Sequence, residues 1–215
     1  MTKKSLVLFG AGGHAKSIVS AVDLEYFNDL STVTWGIQGG DKNLSLRNSH
    51  VSEISSLDFD ENVEYIIAIG DQVIRAQLIS ELRSCFPNMR FATIISKYSN
   101  VSKDSKIGKG VFVGSGAYVG PGCEIGNHVV LNTASIVEHD CKIEDGVFIA
   151  PSVSMGGGSI VESNSFLGIG AIIRDGIRIK NNSVIGAASL VLRDIETSGF
   201  YFGIPAELKT NLQTQ

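Results

Sequence analysis

Residues 107–145 read IGKGVFVGSGAYVGPGCEIGNHVVLNTASIVEHDCKIED, and an aliphatic side chain returns at every sixth position: Ile107, Val113, Val119, Ile125, Leu131, Val137, Ile143. The series runs back to Val101 and forward through Ile149, Met155, Val161, Leu167, Ile173, Ile179 and Ile185 to Val191, sixteen positions with no insertion. In a chain that is 43% apolar, chance produces such a run about once in a million. An isolated amphipathic strand repeats every two residues and a helix every 3.6. A period of six therefore means one short strand and one turn, repeated. Three hexads close a triangular coil with the aliphatic residue inside. Coils stacked at the strand spacing of about 4.8 Å give a prism about 25 Å long, each coil satisfying its neighbours' backbone groups.

A glycine often follows the aliphatic residue, as at Gly108, Gly114, Gly120, Gly126 and Gly168. This pattern resembles the hexapeptide-repeat acyltransferases, whose parallel β-helix is left-handed, over residues 101–195. The residue before each aliphatic faces outward, in three columns. One is mostly charged (Lys106, Glu124, Lys142, Ile160, Arg178) and suits water. The others, Phe112-Val130-Phe148-Phe166-Val184 and Tyr118-Ile136-Ser154-Ile172-Leu190, are too apolar to stay wet. Both are expected to pack against copies of the same chain; the alternative is that the termini fold back over one face. Cys123 and Cys141, one coil apart, read as small buried core residues.

Length and composition agree. The chain has 215 residues, room for one large domain or two small ones. A net charge of −4 without charged blocks gives no sign of nucleic acid or a membrane surface as partner. The short apolar run Leu6–Phe9 is no signal peptide, and no stretch is long enough to span a bilayer. Three cysteines in no metal-ligand spacing predict no metal site and fit the reducing cytoplasm.

Residues 1–96 read as a separate α/β domain, a small parallel sheet with flanking helices, ahead of a β-helix domain at 97–207 and a frayed tail at 208–215. Strands are expected at Ser5–Phe9, Val33–Ile37, Tyr65–Ile69 and Phe91–Ile95, and helices over Ala15–Phe27 and from the Asp71 cap through Glu81. The first strand enters Gly10-Ala11-Gly12-Gly13-His14-Ala15, a G-x-G-x-x-A match whose glycines and helix start suit a phosphate. A tight turn without a ligand is the bland alternative. The acidic residue expected after strand two is absent from Gly36-Ile37-Gln38-Gly39-Gly40, which argues against NAD. Gly70-Asp71-Gln72 would border the same crevice.

Of four histidines, His139 stands out. It lies two beyond the inward Val137, at a corner and so outward. Asp140 follows and would orient its imidazole and raise its basicity. One coil on, Gly156-Gly157-Gly158 leave a notch beside Glu138, His139 and Asp140. Asn132 replaces the usual glycine in a flanking hexad. His128 reads as a surface turn residue, and His50 as part of a polar loop, Asp41–Val51.

Together Gly10–Lys16, Ala68-Ile69-Gly70-Asp71, Asn132-Thr133, Val137–Cys141 and Gly203-Ile204-Pro205-Ala206 resemble a narrower family. These are bacterial sugar acetyltransferases with a Rossmann-like N-terminal domain and a β-helix: nucleotide-amino-sugar N-acetyltransferases and sialic-acid O-acetyltransferases. The resemblance implies His139 as general base, with Asp140 increasing its basicity. It implies nucleotide-sugar contacts at Gly13, His14, Ala15, Lys16 and Gly70, to which Asn132 is added. For acetyl-CoA it implies Ile169 and Ala187, to which Phe148 and Gly157 are added. Relatives carry a second histidine where Phe148 stands and often two acids where Gly39 and Gly40 stand. The expected enzyme is a homotrimer that moves acetyl from acetyl-CoA to the amine of a nucleotide-linked 4-amino sugar, for surface polysaccharide or glycan assembly. The alternatives are O-acetylation of a sialic acid and a non-catalytic β-helix binding protein.

Overall fold

The computed structural model describes residues 4–22, 27–35, 47–51 and 62–211. The chain forms two compact units, Met1–Ile94 and Ile95–Gln215.

In the first unit four strands, β1 (Lys4–Phe9), β2 (Phe27–Trp35), β3 (Arg47–Val51) and β4 (Val63–Ile67), pair in parallel in the order β3-β2-β1-β4. A parallel sheet with crossovers is buried on both faces, so its central strands are apolar runs. Leu6, Leu8, Phe9, Ile66 and Ile67 are all buried. Helix α1 (Gly13–Val19) buries Ala15 and Ile18. Helix α2 (Gln72–Cys85) starts where the Asp71 carboxylate accepts from the N–H groups of Val73 and Ile74, both at 3.0 Å. Its Leu78, Ile79 and Leu82 form one cluster with Phe9, Tyr65 and Ile67.

Several expectations are corrected here. Helix α1 ends at Val19 rather than at Phe27. Bonds from Ala21 N to Ile18 O and Val22 N to Val19 O tighten its last turn, and Phe27 enters the sheet opposite Lys4. His50 lies in β3 rather than in a loop, paired with Thr34. Phe91 makes only a single parallel bridge to Tyr65, and Ile94–Ile95 belongs to a sheet of the β-helix. Strand two ends at Trp35, and the stretch 36–40 lies outside the described residues.

The second unit is a parallel β-helix of two-residue strands, from Asn100–Val101 to Leu190–Val191. Partners lie three hexads apart: Glu124 pairs with Lys142, Val130 with Phe148, Ile136 with Ser154. Every inward position from Val113 to Val191 is buried, each contributing about 1.5–3 kcal/mol of burial. The residue three beyond each inward position from Ile107 to Ile185 turns the corner with positive φ: seven glycines and seven others, among them His128, Asp140 and Asn164. The corners therefore do not demand glycine, and the aliphatic residue is the invariant of the coil. His128 occupies its corner as expected, but it is buried rather than on the surface.

The chain makes three faces in the order B, C, D: face B carries Phe112, face C Tyr118, face D Lys106 and Glu124. Face D is wet, with Lys106 Nζ 2.8 Å from Glu124 and both exposed. On face B, Phe112, Val130 and Phe148 are already buried within one chain, while Phe166 and Val184 are half-buried. On face C, Ile136 and Ile172 stay exposed. The last coil is short by two residues: Ile179 bridges to Ile195 and Ile185 pairs with Tyr201. The tail does not fray at 208. Glu207–Asn211 returns antiparallel along Gly199–Phe202 and covers that sheet edge; residues 212–215 lie outside the described residues.

Candidate active site

The corner between faces C and D carries His139 and Asp140. Val137 anchors the strand inside, and Asp140 turns the chain with φ +58°, a conformation that aspartate tolerates better than most residues. That turn brings its carboxylate back to the imidazole: Asp140 Oδ2 lies 2.9 Å from His139 Nδ1. Both side chains are largely exposed. The hydrogen bond to Asp140 raises the His139 pKa above the ordinary imidazole value, and the charge of Glu138 adds to it. Asp140 also selects the tautomer, protonating Nδ1 and leaving Nε2 as the basic nitrogen.

Two glycines hold this pair. A Cβ at Gly157, one coil on, would stand 2.5 Å from both Cε1 and Nε2 of His139, so the imidazole lies directly over glycine backbone. A Cβ at Gly122, one coil back, would collide with the Asp140 carboxylate. The expected notch is thus real at Gly157. Gly122 escapes the reading of the sequence; its place three hexads before Asp140 is the signal for it. Of the three N–H groups in the notch, Gly156 donates to Ile173 O and Gly158 to His139 O.

The other expected residues fall elsewhere. Asn132 lies at the corner between faces B and C. It is buried, and its Oδ1 accepts from Thr133 N at 2.8 Å, so it braces its own turn. Ile169, 56% exposed, and Ala187 stack at that same corner, with Ala188 N bonded to Ile169 O. The His139 corner and the Ile169–Ala187 corner therefore flank the two edges of face C. Phe148 is buried on face B and stacks on Phe166 at 5.2 Å, so its ring is not open to a ligand in a single chain. Among the described residues no group of acidic, histidine and cysteine side chains could hold a metal, and no helix is long and apolar enough to cross a membrane.

In the first unit the structure brings the glycine turn and Gly70 together. Gly10 has φ +118°, and a Cβ there would stand 2.7 Å from Ala68 O. The His14 Cβ is 4.0 Å from the Cβ position of Gly70. Gly12 and Gly13 face open space and Lys16 is exposed, whereas Ala15 is fully buried and offers only its backbone. Burial, then the charge of Arg75, lowers the His14 pKa to about 3, so this ring is neutral at physiological pH. Arg75 itself is buried, its pKa lowered to about 10.

A β-helix whose coil recurs every 18 residues, preceded by a small parallel-sheet unit, is the fold of left-handed β-helix acyltransferases with a Rossmann-like domain. Residues 5–82 match the PglD N-terminal domain and residues 90–190 the GMPPB C-terminal domain. No curated protein matches the chain significantly. Solved structures do. The acetyltransferase domain of PglB from Neisseria gonorrhoeae FA1090 is 24% identical with a TM-score of 0.86, covering 96% of this chain and 100% of that one. The same domain in complex with acetyl coenzyme A is 25% identical, with a TM-score of 0.85 and the same coverage. PerB from Caulobacter crescentus, in complex with CoA and GDP-perosamine, is 25% identical with a TM-score of 0.80, covering 95% and 97%. Over nearly its whole length the chain shares its fold with these hexapeptide-repeat sugar acetyltransferases.

Proposed function

We propose that the protein transfers the acetyl group of acetyl-CoA to the amine of a nucleotide-linked 4-amino sugar, with His139 as general base. The observation that carries this reading is the His139–Asp140 pair lying over Gly157 at an exposed coil corner. The match of residues 5–82 to the PglD N-terminal domain and the likeness to PerB with its GDP-perosamine support an amino sugar over a sialic acid.

The acceptor amine attacks the thioester carbonyl directly. His139 Nε2 takes its proton as the bond forms, and Asp140 stabilises the imidazolium. The tetrahedral oxyanion needs a donor aimed at it. With Gly156 and Gly158 committed, the Gly157 N–H fills that role. CoA leaves as the intermediate collapses, and no acyl-enzyme forms. The turn of Gly13, His14, Ala15 and Lys16 with Gly70 binds the nucleotide sugar. Ile169 and Ala187 line the acetyl-CoA groove.

His139 and that groove flank opposite edges of face C. A trimer closed through face C sets the His139 edge of one copy against the Ile169–Ala187 edge of the next. The enzyme is therefore proposed to be a homotrimer with its sites between subunits.

The test is release of CoA, followed with a thiol reagent, against an acceptor panel. The panel holds UDP-, dTDP- and GDP-linked 4-amino sugars, sialic acid and CMP-sialic acid. Release with one amino sugar is expected. Release with the sialic acids alone would overturn N-acetylation in favour of O-acetylation.

A further inference from the structure

Behind the His139 corner runs a column of side chains that the reaction does not use. Ser105, Cys123, Cys141 and Ser159 recur every third hexad on the inner side of successive coils. Each lies within bonding distance of a carbonyl of the following coil, although the Ser159 hydroxyl is closer to Gly156 O of its own coil, at 2.8 Å. Ser105 Oγ bonds Gly120 O at 2.7 Å, Cys123 Sγ bonds Glu138 O at 3.0 Å, Cys141 Sγ bonds Gly156 O at 3.3 Å, and Ser159 Oγ bonds Arg174 O at 3.1 Å. Every acceptor is the residue just before the corner. In the coil that matters, the Glu138 carbonyl belongs to the peptide that carries His139. One coil on, the Gly156 carbonyl belongs to the peptide whose N–H is that of Gly157.

We infer that Cys123 is a positioning residue: its thiol fixes the Glu138–His139 peptide plane and so the angle at which the imidazole meets Asp140 and Gly157. This rests on the assignment of His139 as the base. Cys123 is fully buried and Cys141 nearly so. A thiol enclosed inside the coil reaches no substrate, so its value here is geometric rather than nucleophilic. The imidazole itself is largely exposed. Its orientation is set mainly from below, by the backbone it stands on. A peptide tilt there swings the ring away from both Asp140 and the glycine notch, and even a small misplacement of a catalytic group costs a large factor in rate. The column also predicts what can replace the thiol. A serine in the same column reaches its carbonyl at 2.7 Å at position 105, so serine at 123 keeps the bond. Valine, which fills inward positions such as 111, 129 and 147, fits the space without a donor.

The experiment compares Cys123→Val, Cys123→Ala and Cys123→Ser in the full chain, measuring kcat, KM for acetyl-CoA and the pH dependence of kcat. Both variants without a donor are expected to lose about tenfold in kcat with KM for acetyl-CoA unchanged. The acid limb of their pH profile is expected to move to lower pH as the bond from His139 Nδ1–H to Asp140 weakens. Cys123→Ser is expected to restore both. Ser165→Ala, which removes the same kind of bond to Lys180 O at a corner with no site residue, is expected to leave kcat unchanged. Wild-type kcat and pH profile in both donor-free variants would overturn the inference. His139→Ala assayed alongside separates the two claims. An inactive His139→Ala beside fully active Cys123 variants removes only the positioning role, whereas an active His139→Ala removes the base assignment on which that role rests.

Discussion

Asp140 serves two ends at one backbone position. It turns the corner with φ +58° and, through that turn, places its carboxylate 2.9 Å from His139 Nδ1. Asn keeps the turn and the size but not the charge. The carboxylate raises the imidazole pKa, so Asp140→Asn lowers it. A general base works only when deprotonated, so the acid limb of the kcat profile follows that pKa and moves to lower pH. The plateau falls as well, by at least about tenfold, because the tautomer is no longer fixed. A pH series of steady-state rates checks both effects; an unmoved acid limb would sever Asp140 from the base. His139 and Asp140 are legible in the sequence because their distance from Val137 places them outward at a corner. Gly122 and Cys123 are not. They act on residues of the following coil, and one hexad taken at a time shows only a repeat glycine and a small core residue.

Among the elements, the β-helix is legible almost residue by residue. One aliphatic side chain per hexad defines the inside, and the inside defines the outward columns. The end of the helix is less so. The last coil drops two residues between Val191 and Ile195, and the closing strand Glu207–Asn211 is too polar to announce itself; it is held by edge pairing with Gly199–Phe202 rather than by burial. The first unit reads correctly as a small parallel sheet with helices, but the strand Arg47–Val51 is missed and Phe91–Ile95 is not one of its strands. Ala21 and Val22 continue the apolar pattern of α1, yet the bonds there tighten by one residue and end the helix. His50 sits in a strand because that strand pairs with β2, a long-range reason that local polarity conceals. Phe148 illustrates the opposite failure. Its outward position is right, but a single chain already buries that part of face B, and no period in the sequence reports what covers a face.

At the scale of the whole molecule, face C carries the proposed assembly. Ile136 and Ile172 remain exposed there, between the His139 corner and the Ile169–Ala187 corner. Ile172→Glu places a charge on that face, far in sequence from the dyad. It is expected to convert the proposed trimer to monomers in sedimentation velocity and to abolish turnover while the fold by circular dichroism persists. A monomeric variant with full activity would show that one chain holds a complete site. The central claim, that an imidazole on a β-helix corner drives acetyl transfer, is tested most directly by the turnover of His139→Ala with acetyl-CoA and the preferred amino-sugar acceptor. The predicted result is a loss of about 10²–10⁴-fold in kcat, with melting temperature and assembly unchanged. Turnover within a few-fold of the wild type would contradict it.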